Sequence, residues 1–297
     1  MDYLKPIIVA EIGCNHQGDF NLAKKLISQA KISGANYVKF QKRDNKYLLG
    51  KKFSYPHPVP ENSFGTSYGK HREYLEFNIK QHEKLYNFCK KVKVKYSTSV
   101  WDKKSAIALI KSKIDLDFLK IPSACNLDFE LLEIISSTFN KKIHISTGMT
   151  TKKEIDQIID FFIKKKRNKD LVVYHCTSSY PANFEDVCLK DITNLIKIYG
   201  KDINSIGFSG HHQGIAIDIS AYTLGARIIE RHFTLDRSMK GTDHSASLEP
   251  TGLFKLCRDL NNTYKSLKSK KGKLLFSEKF QRKKLKRIIR NNDKHKK

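Results

Sequence analysis

The chain has 297 residues, a formal net charge of +26 and six cysteines. That length fits one large domain or two small ones with a core that needs no staples, and its longest apolar runs fall short of the roughly 20 residues that a membrane-crossing helix requires. Cys14, Cys89, Cys125, Cys176, Cys188 and Cys257 show no CxxC pairing and the N-terminus carries no signal pattern, which argues against a secreted disulfide scaffold and for a reducing cytoplasm.

The charge is uneven. Fifteen Lys and Arg lie between Lys265 and Lys297 against only Glu278 and Asp293. A strong basic balance can mean nucleic acid, lipid or acidic partners. The tail QRKKLKRIIRNNDKHKK has no interleaved aromatics to stack bases, so nucleic acid is not the expected partner. The remaining excess is spread through a chain rich in Asn and Ile, which reads as a compositional drift.

In chain order, strand-like runs occur at residues 6–12 (PIIVAEI), 36–42 (NYVKFQK), 94–100 (VKYSTSV) and 118–124 (FLKIPSA). They continue at 142–148 (KIHISTG), 171–178 (LVVYHCTS), 205–211 (SIGFSGH) and 226–233 (ARIIERHF). Helical patterns such as LAKKLISQAKIS and TKKEIDQIIDFFIKK separate them, and LFKLCRDLNNTYKSL follows the last. Eightfold alternation predicts an α/β fold, a closed (β/α)8 TIM barrel, with a doubly wound open sheet as the competing architecture. We expect the barrel over residues 1–270 and a basic C-terminal tail over 271–297. The connection from 43 to 78 exceeds a usual βα loop and reads as a lid or binding element.

Polar residues gather where such a barrel places its active site, at the C-terminal strand ends. They are Glu11; Lys39 and Gln41; Ser97 and Thr98; Lys120 and Ser123; Ser146 and Thr147; His175 and Thr177; Ser209 and His211; Glu230 and His232. A single histidine is more often a satisfied core or surface residue than a ligand. His211 and His232 end adjacent strands, however, and a histidine pair with an open face suits Mn2+, Zn2+, Fe2+ or Co2+ better than Mg2+. Lys39 and Lys120, among the hydroxyls of Thr98, Ser123, Ser146 and Ser209, supply the charge and directional donors that a phosphate or carboxylate needs. The competing readings are lysines that snorkel to solvent, or one desolvated lysine that forms a Schiff base.

These residues sit in AEIGCNHQGDFNLAKKLI, GANYVKFQ, STSVWD, LKIPSA, ISTGMTTKKEI, HCTSSYPANFEDV, GFSGHHQGIAIDISAYTLGARIIERHFTLD and GTDHSASLEP. With these segments, residues 6–255 resemble the sialic acid synthase family, which includes legionaminic and pseudaminic acid synthases. The resemblance implies a synthase that condenses phosphoenolpyruvate with an N-acylated amino sugar to give a nonulosonic acid and phosphate. It implies a divalent ion on His211 and His232, Mn2+ by preference and Mg2+ or Co2+ as alternatives. It implies phosphoenolpyruvate on Lys39, Thr98, Lys120, Ser123, Ser146 and Ser209, the sugar near Glu11, Gln41, Tyr180 and Asp243, and a homodimer. The catalytic set is then Glu11, Lys39, Lys120, His211 and His232.

Three positions depart from the family pattern. Cys125 replaces a glutamate, Ser178, a further substrate-binding candidate, stands where many members have asparagine, and Gly210 replaces an aspartate, with His212 as a compensating polar group. Many members also carry a C-terminal antifreeze-like domain, which we expect this protein to do without. We expect the 43–78 connection to replace its sugar contact through Tyr68, His71 or Arg72. The alternatives are a Schiff-base pyruvate aldolase on Lys39 or Lys120, and a non-catalytic barrel docking through its basic tail.

Overall fold

A computed structural model describes residues 3–287. Eight strands form one closed barrel in sequence order: β1 (Ile7–Gly13), β2 (Tyr37–Lys42), β3 (Lys95–Val100), β4 (Phe118–Ile121), β5 (Lys142–Ser146), β6 (Leu171–Cys176), β7 (Ser205–Gly210) and β8 (Ile228–His232). All neighbours are parallel, and β1 pairs with both β2 and β8, which closes the ring and excludes the open sheet. Each strand lies within a few residues of its expected run. The (β/α)8 expectation therefore holds.

A helix follows each strand before the next begins, and local sequence sets where several start. Asn78 with Gln81 opens the helix Ile79–Val92, and Thr151 with Glu154 opens Lys152–Lys164, each through a reciprocal capping box that satisfies two otherwise orphaned N–H groups. The 43–78 connection, expected as a lid or binding element, folds into a helix at Asn45–Leu49, 3-10 turns at Gly50–Ser54 and Pro60–Asn62, and a helix at Tyr68–Leu75.

Side chains alternate in and out along each strand. The inward positions near the N-terminal end are apolar: Val9, Phe118, Val172, Tyr174 and Ile228 form one buried cluster, with Ile7 and Tyr37 packed against it. Burying each such side chain contributes about 1.5–3 kcal/mol. This plug is the floor on which the next, ionised layer rests.

The chain separates into two compact units, Met1–Tyr264 and Lys265–Lys297. Within the second, a helix spans Phe276–Leu285. The part of the expected tail beyond Arg287 lies outside the described residues. No described helix is long and apolar enough to cross a membrane.

Candidate active site at the C-terminal face of the barrel

The layer above the plug is charged. Lys39 Nζ lies 2.6 Å from Glu11 Oε2 and 3.4 Å from Glu230 Oε1, while Lys120 Nζ lies 3.1 Å from Glu230 Oε2. All four side chains come from strand interiors, and each residue is at most 5% exposed. An unpaired charge would be very costly at such depth, so the quartet stands only because its charges cancel. Lys39 also donates to Ser99 Oγ at 3.2 Å, and the Lys120 ammonium lies 3.5 Å from the centroid of the Tyr174 ring.

Burial and partners pull these groups apart. Burial raises the Glu11 carboxyl to about 7, against Lys39 and with help from Glu230. Burial disfavours the Glu230 charge as well, but Lys120 and Lys39 outweigh it and hold that carboxyl near 2. Burial lowers Lys120, whereas the two carboxylates beside Lys39 overcome burial and raise it.

Above this layer opens a cleft of about 240 Å³. Of the predicted site residues, Glu11, Lys39, Gln41, Lys120, Ser123, Ser146, Ser178, Tyr180, Ser209, His211 and His232 all line it. Asp243 stands at its edge, with Oδ2 3.7 Å from His232 Nδ1. Gln41 Nε2 donates to Glu11 Oε1 at 3.1 Å. The Tyr180 ring packs 4.2 Å from the His211 ring, centroid to centroid. Gly148 leaves room on the β5 side: a Cβ there would fall 2.2 Å from Ser178 Oγ and 2.8 Å from Ser123 Oγ.

The histidine pair fits a metal. The ring centroids of His211 and His232 are 5.5 Å apart. His211 Nδ1–H donates to the Thr177 carbonyl at 2.7 Å, which fixes a tautomer with a free lone pair on Nε2. His232 Nδ1 is buried without a hydrogen bond, and burial, opposed by Asp243, lowers this imidazole to about 4 and keeps it neutral as a ligand must be. Among the described residues no three His, Cys, Asp or Glu side chains converge as a ready ligand set. An ion held by the pair would therefore have solvent or substrate as its other ligands.

Several expectations need correction. Thr98 pairs with Phe40 in the β2–β3 register and points away from the cleft, whereas Ser99, paired with Gln41, points in and lines it. Strand parity gives the same result at β6, where Cys176 and Ser178 line the cleft. There His175 Nε2 bonds the Val187 carbonyl instead, and Thr177 Oγ1 donates to Asp186. Ser97 and Thr147 spend their hydroxyls on the Phe118 and Tyr174 carbonyls.

Cys125 is not a cleft residue; its thiol donates to the Trp101 carbonyl and burial pushes it up to about 12. His212 does not compensate in the cleft either. It is fully buried beside Asp218 and Arg231, and Arg231 Nη1 lies 3.1 Å from its Nε2. Gly210 makes this possible, because a Cβ there would meet the His212 ring at 2.8 Å.

Sequence reasoning missed Ser99, Trp101 and Cys176 in the cleft lining. Parity counted from Lys39 across the β2–β3 register would have found Ser99; no polar pattern marked the other two.

The fold and site define a barrel enzyme whose cleft has a floor of paired lysines and carboxylates beneath an open histidine pair. The chain belongs to the NeuB family, whose pattern matches residues 26–272. It is 38% identical over 255 residues to the N-acetylneuraminate-9-phosphate synthase of Drosophila melanogaster, a match covering 86% of this chain and 67% of that protein. It is 37% identical over 265 residues to the N,N'-diacetyllegionaminic acid synthase of Campylobacter jejuni, covering 89% and 78%. Its fold matches the crystal structure of an N-acetylneuraminic acid synthetase from Leptospira borgpetersenii with a TM-score of 0.79 at 30% identity, covering 96% and 94% of the two chains. The chain is thus an enzyme of the carbon–carbon bond-forming synthase class.

Proposed function

We propose that this chain condenses phosphoenolpyruvate with the open-chain aldehyde of an N-acylated amino sugar, N-acetylmannosamine or a diacetamido-deoxyhexose, giving a nonulosonic acid and phosphate. The observation that carries the reading is the buried Lys39–Glu11–Glu230–Lys120 layer directly beneath a histidine pair with open nitrogens. Family membership supports it.

Lys39 and Lys120 offset the carboxylate and phosphate charges of phosphoenolpyruvate, and the Ser123, Ser146, Ser178 and Ser209 hydroxyls direct donors at them. C3 of the enol attacks the aldehyde carbon. Water adds at C2, and the tetrahedral intermediate breaks its C–O bond to expel phosphate. Glu11, poised near 7, holds or releases a proton at the sugar oxygen, with Gln41 fixing its carboxyl. We assign His211 and His232 as ligands of a divalent cation, manganese by preference, which when bound supplies Lewis-acid polarisation of the aldehyde oxygen. Binding both substrates in one cleft supplies much of the remaining rate.

The Schiff-base alternative needs a neutral amine; two carboxylates hold Lys39 charged, and Lys120, although burial lowers it, keeps its ion pair with Glu230. Borohydride with pyruvate should therefore trap nothing. We further propose a homodimer in the cytoplasm, where the six free thiols persist; light scattering would report two chains per particle.

The test is phosphate release from phosphoenolpyruvate with a panel of amino sugars. Release should require sugar and Mn2+ together, stop with chelator, and fall at least 100-fold in His232→Ala. Release without any sugar, or turnover unchanged by chelator, would overturn the reading.

A further inference from the structure

The basic segment that follows the barrel carries apolar side chains left open to solvent. Of the fifteen Lys and Arg between Lys265 and Lys297, eleven lie at or before Arg287, where Glu278 is the one acid. That acid is already spent: its Oε1 pairs with Lys270 Nζ at 2.5 Å, and its Oε2 accepts from the Leu275 N–H at 3.2 Å. The other ten cations have no acid of their own segment to neutralise them. Within the same stretch Leu274 and Leu275 are exposed, Phe276 is 87% exposed and Phe280 70%, and no residue of the helix Phe276–Leu285 is buried. A ten-residue helix is marginal in water without a face to bury. Contiguous exposed apolar side chains mark a surface that meets an apolar partner.

The arrangement of these residues selects the partner. Positions 276 and 280 are one turn apart and share a helix face, with Leu274 and Leu275 immediately before it. Lys279, Lys283 and Lys284 lie one position before and three and four positions after Phe280, so three lysines flank the phenylalanine face. Lys279 Nζ lies 5.5 Å from the centroid of the Phe276 ring. Lysine stems lie along apolar surface while their ammonium groups reach a polar layer. An apolar face flanked by lysines and almost free of acids therefore fits the boundary of an anionic bilayer, where headgroup phosphates meet the cations and acyl chains receive the rings. Single-stranded nucleic acid satisfies the cations and stacks on phenyl rings, but it offers nothing to Leu274 and Leu275. At about 1.5 Å per residue the helix is only about 15 Å long, half the thickness of a bilayer core, so it lies on the surface and does not span it. We infer that residues 274–285 form an interfacial docking element that seats the enzyme on an anionic lipid surface, with Phe276 and Phe280 as the inserted side chains.

The test is co-sedimentation of the full chain with vesicles of phosphatidylcholine, alone or mixed with phosphatidylglycerol. The chain should bind the mixed vesicles about tenfold or more tightly than the neutral ones, and more weakly as salt rises. The double substitution Phe276→Ser and Phe280→Ser should cut that binding about tenfold or more while leaving the salt of elution from heparin unchanged, since no charge is lost. Lys279→Gln with Lys283→Gln should weaken both. All four positions are exposed, so melting temperature should not move. In Phe280→Trp the new indole emission should shift to the blue on mixed vesicles and be quenched by brominated acyl chains. Trp101, the single tryptophan of the unaltered chain, should not respond.

Failure of the full chain to bind the mixed vesicles at low salt would overturn the inference. So would vesicle binding that the serine pair leaves unchanged, because the contact would then be charge alone. Phenylalanine-dependent binding to oligouridine or to polyglutamate, with weaker binding to vesicles, would assign the face to nucleic acid or to an acidic polypeptide and equally overturn it. None of these readouts depends on turnover, so the outcome stands whichever acceptor sugar the cleft takes.

Discussion

Glu11 and Glu230 are identical side chains on paired strands, equally buried, yet one titrates near 7 and the other near 2. The difference lies in their lysines: Glu230 has two within 3.4 Å, while Glu11 shares one. An anion that draws on Lys39 and Lys120 weakens what keeps Glu11 ionised and adds a like charge beside it. The Glu11 pKa should therefore rise further when phosphoenolpyruvate binds, and the complex should take up a substantial fraction of a proton at pH 7.5. Calorimetry in buffers of different ionisation enthalpy measures this directly, and Glu11→Gln should abolish the uptake. At the same scale, Ser99→Ala removes a bond to the Lys39 ammonium, of a kind that contributes about 1.5–3 kcal/mol, so KM for phosphoenolpyruvate should rise at least tenfold. Thr98→Val, on the other face of the strand, should leave KM alone. The sequence showed that β3 ends in hydroxyls but not which of them points inward, because Ser97, Thr98 and Ser99 are chemically alike and only the pairing with Lys39 and Gln41 fixes the parity.

At the scale of elements, the loops after the strands shape the cleft by what they leave out. Gly148 follows β5, and its N–H donates to Ser123 Oγ at 3.0 Å. An alanine Cβ would drive Ser178 and Ser123 from their places, so Gly148→Ala should raise KM for phosphoenolpyruvate at least tenfold with little change in melting temperature. The helix Ile79–Val92 carries a different burden. His82 is fully buried with Nδ1 2.5 Å from the Tyr96 hydroxyl, and burial, aided by Lys42 and His16, depresses it from 6.5 to about 3. A base whose folded pKa is depressed binds fewer protons than its unfolded form between those values. The stability it confers is therefore present above about 6.5 and is lost as pH falls toward 3. Between pH 7 and pH 5 this amounts to about 2 kcal/mol, or about 4–8 °C in Tm for a chain of this size. His82→Gln should melt lower at pH 7 yet lose less on acidification, a comparison that parallel thermal scans make. The sequence marked the 43–78 connection as functional by its length alone. That it would fold into helices and bring Arg72 against Cys14 depended on tertiary burial, which no local pattern encodes.

For the whole molecule, the barrel was legible because eight strand periods alternating with helical ones admit few closed solutions. The charged quartet was legible only in part: Lys39 and Lys120 stood out as strand-end lysines, but their shared dependence on Glu230 requires strands far apart in sequence to face one another across the lumen. The basic C-terminal segment belongs to neither pattern. Residues 271–297 hold twelve Lys and Arg against Glu278 and Asp293, while every predicted catalytic and substrate-binding residue precedes Pro250. Charge of that density governs non-specific association with polyanions, and screening confines its field to about 8–10 Å at physiological salt. A chain ending at Lys270 should therefore keep its kcat and its KM for both substrates within about twofold. It should leave a heparin column at clearly lower salt than the full chain. Loss of turnover in a truncated chain that still melts cooperatively would instead place the segment within the working enzyme and reverse the division of labour argued here.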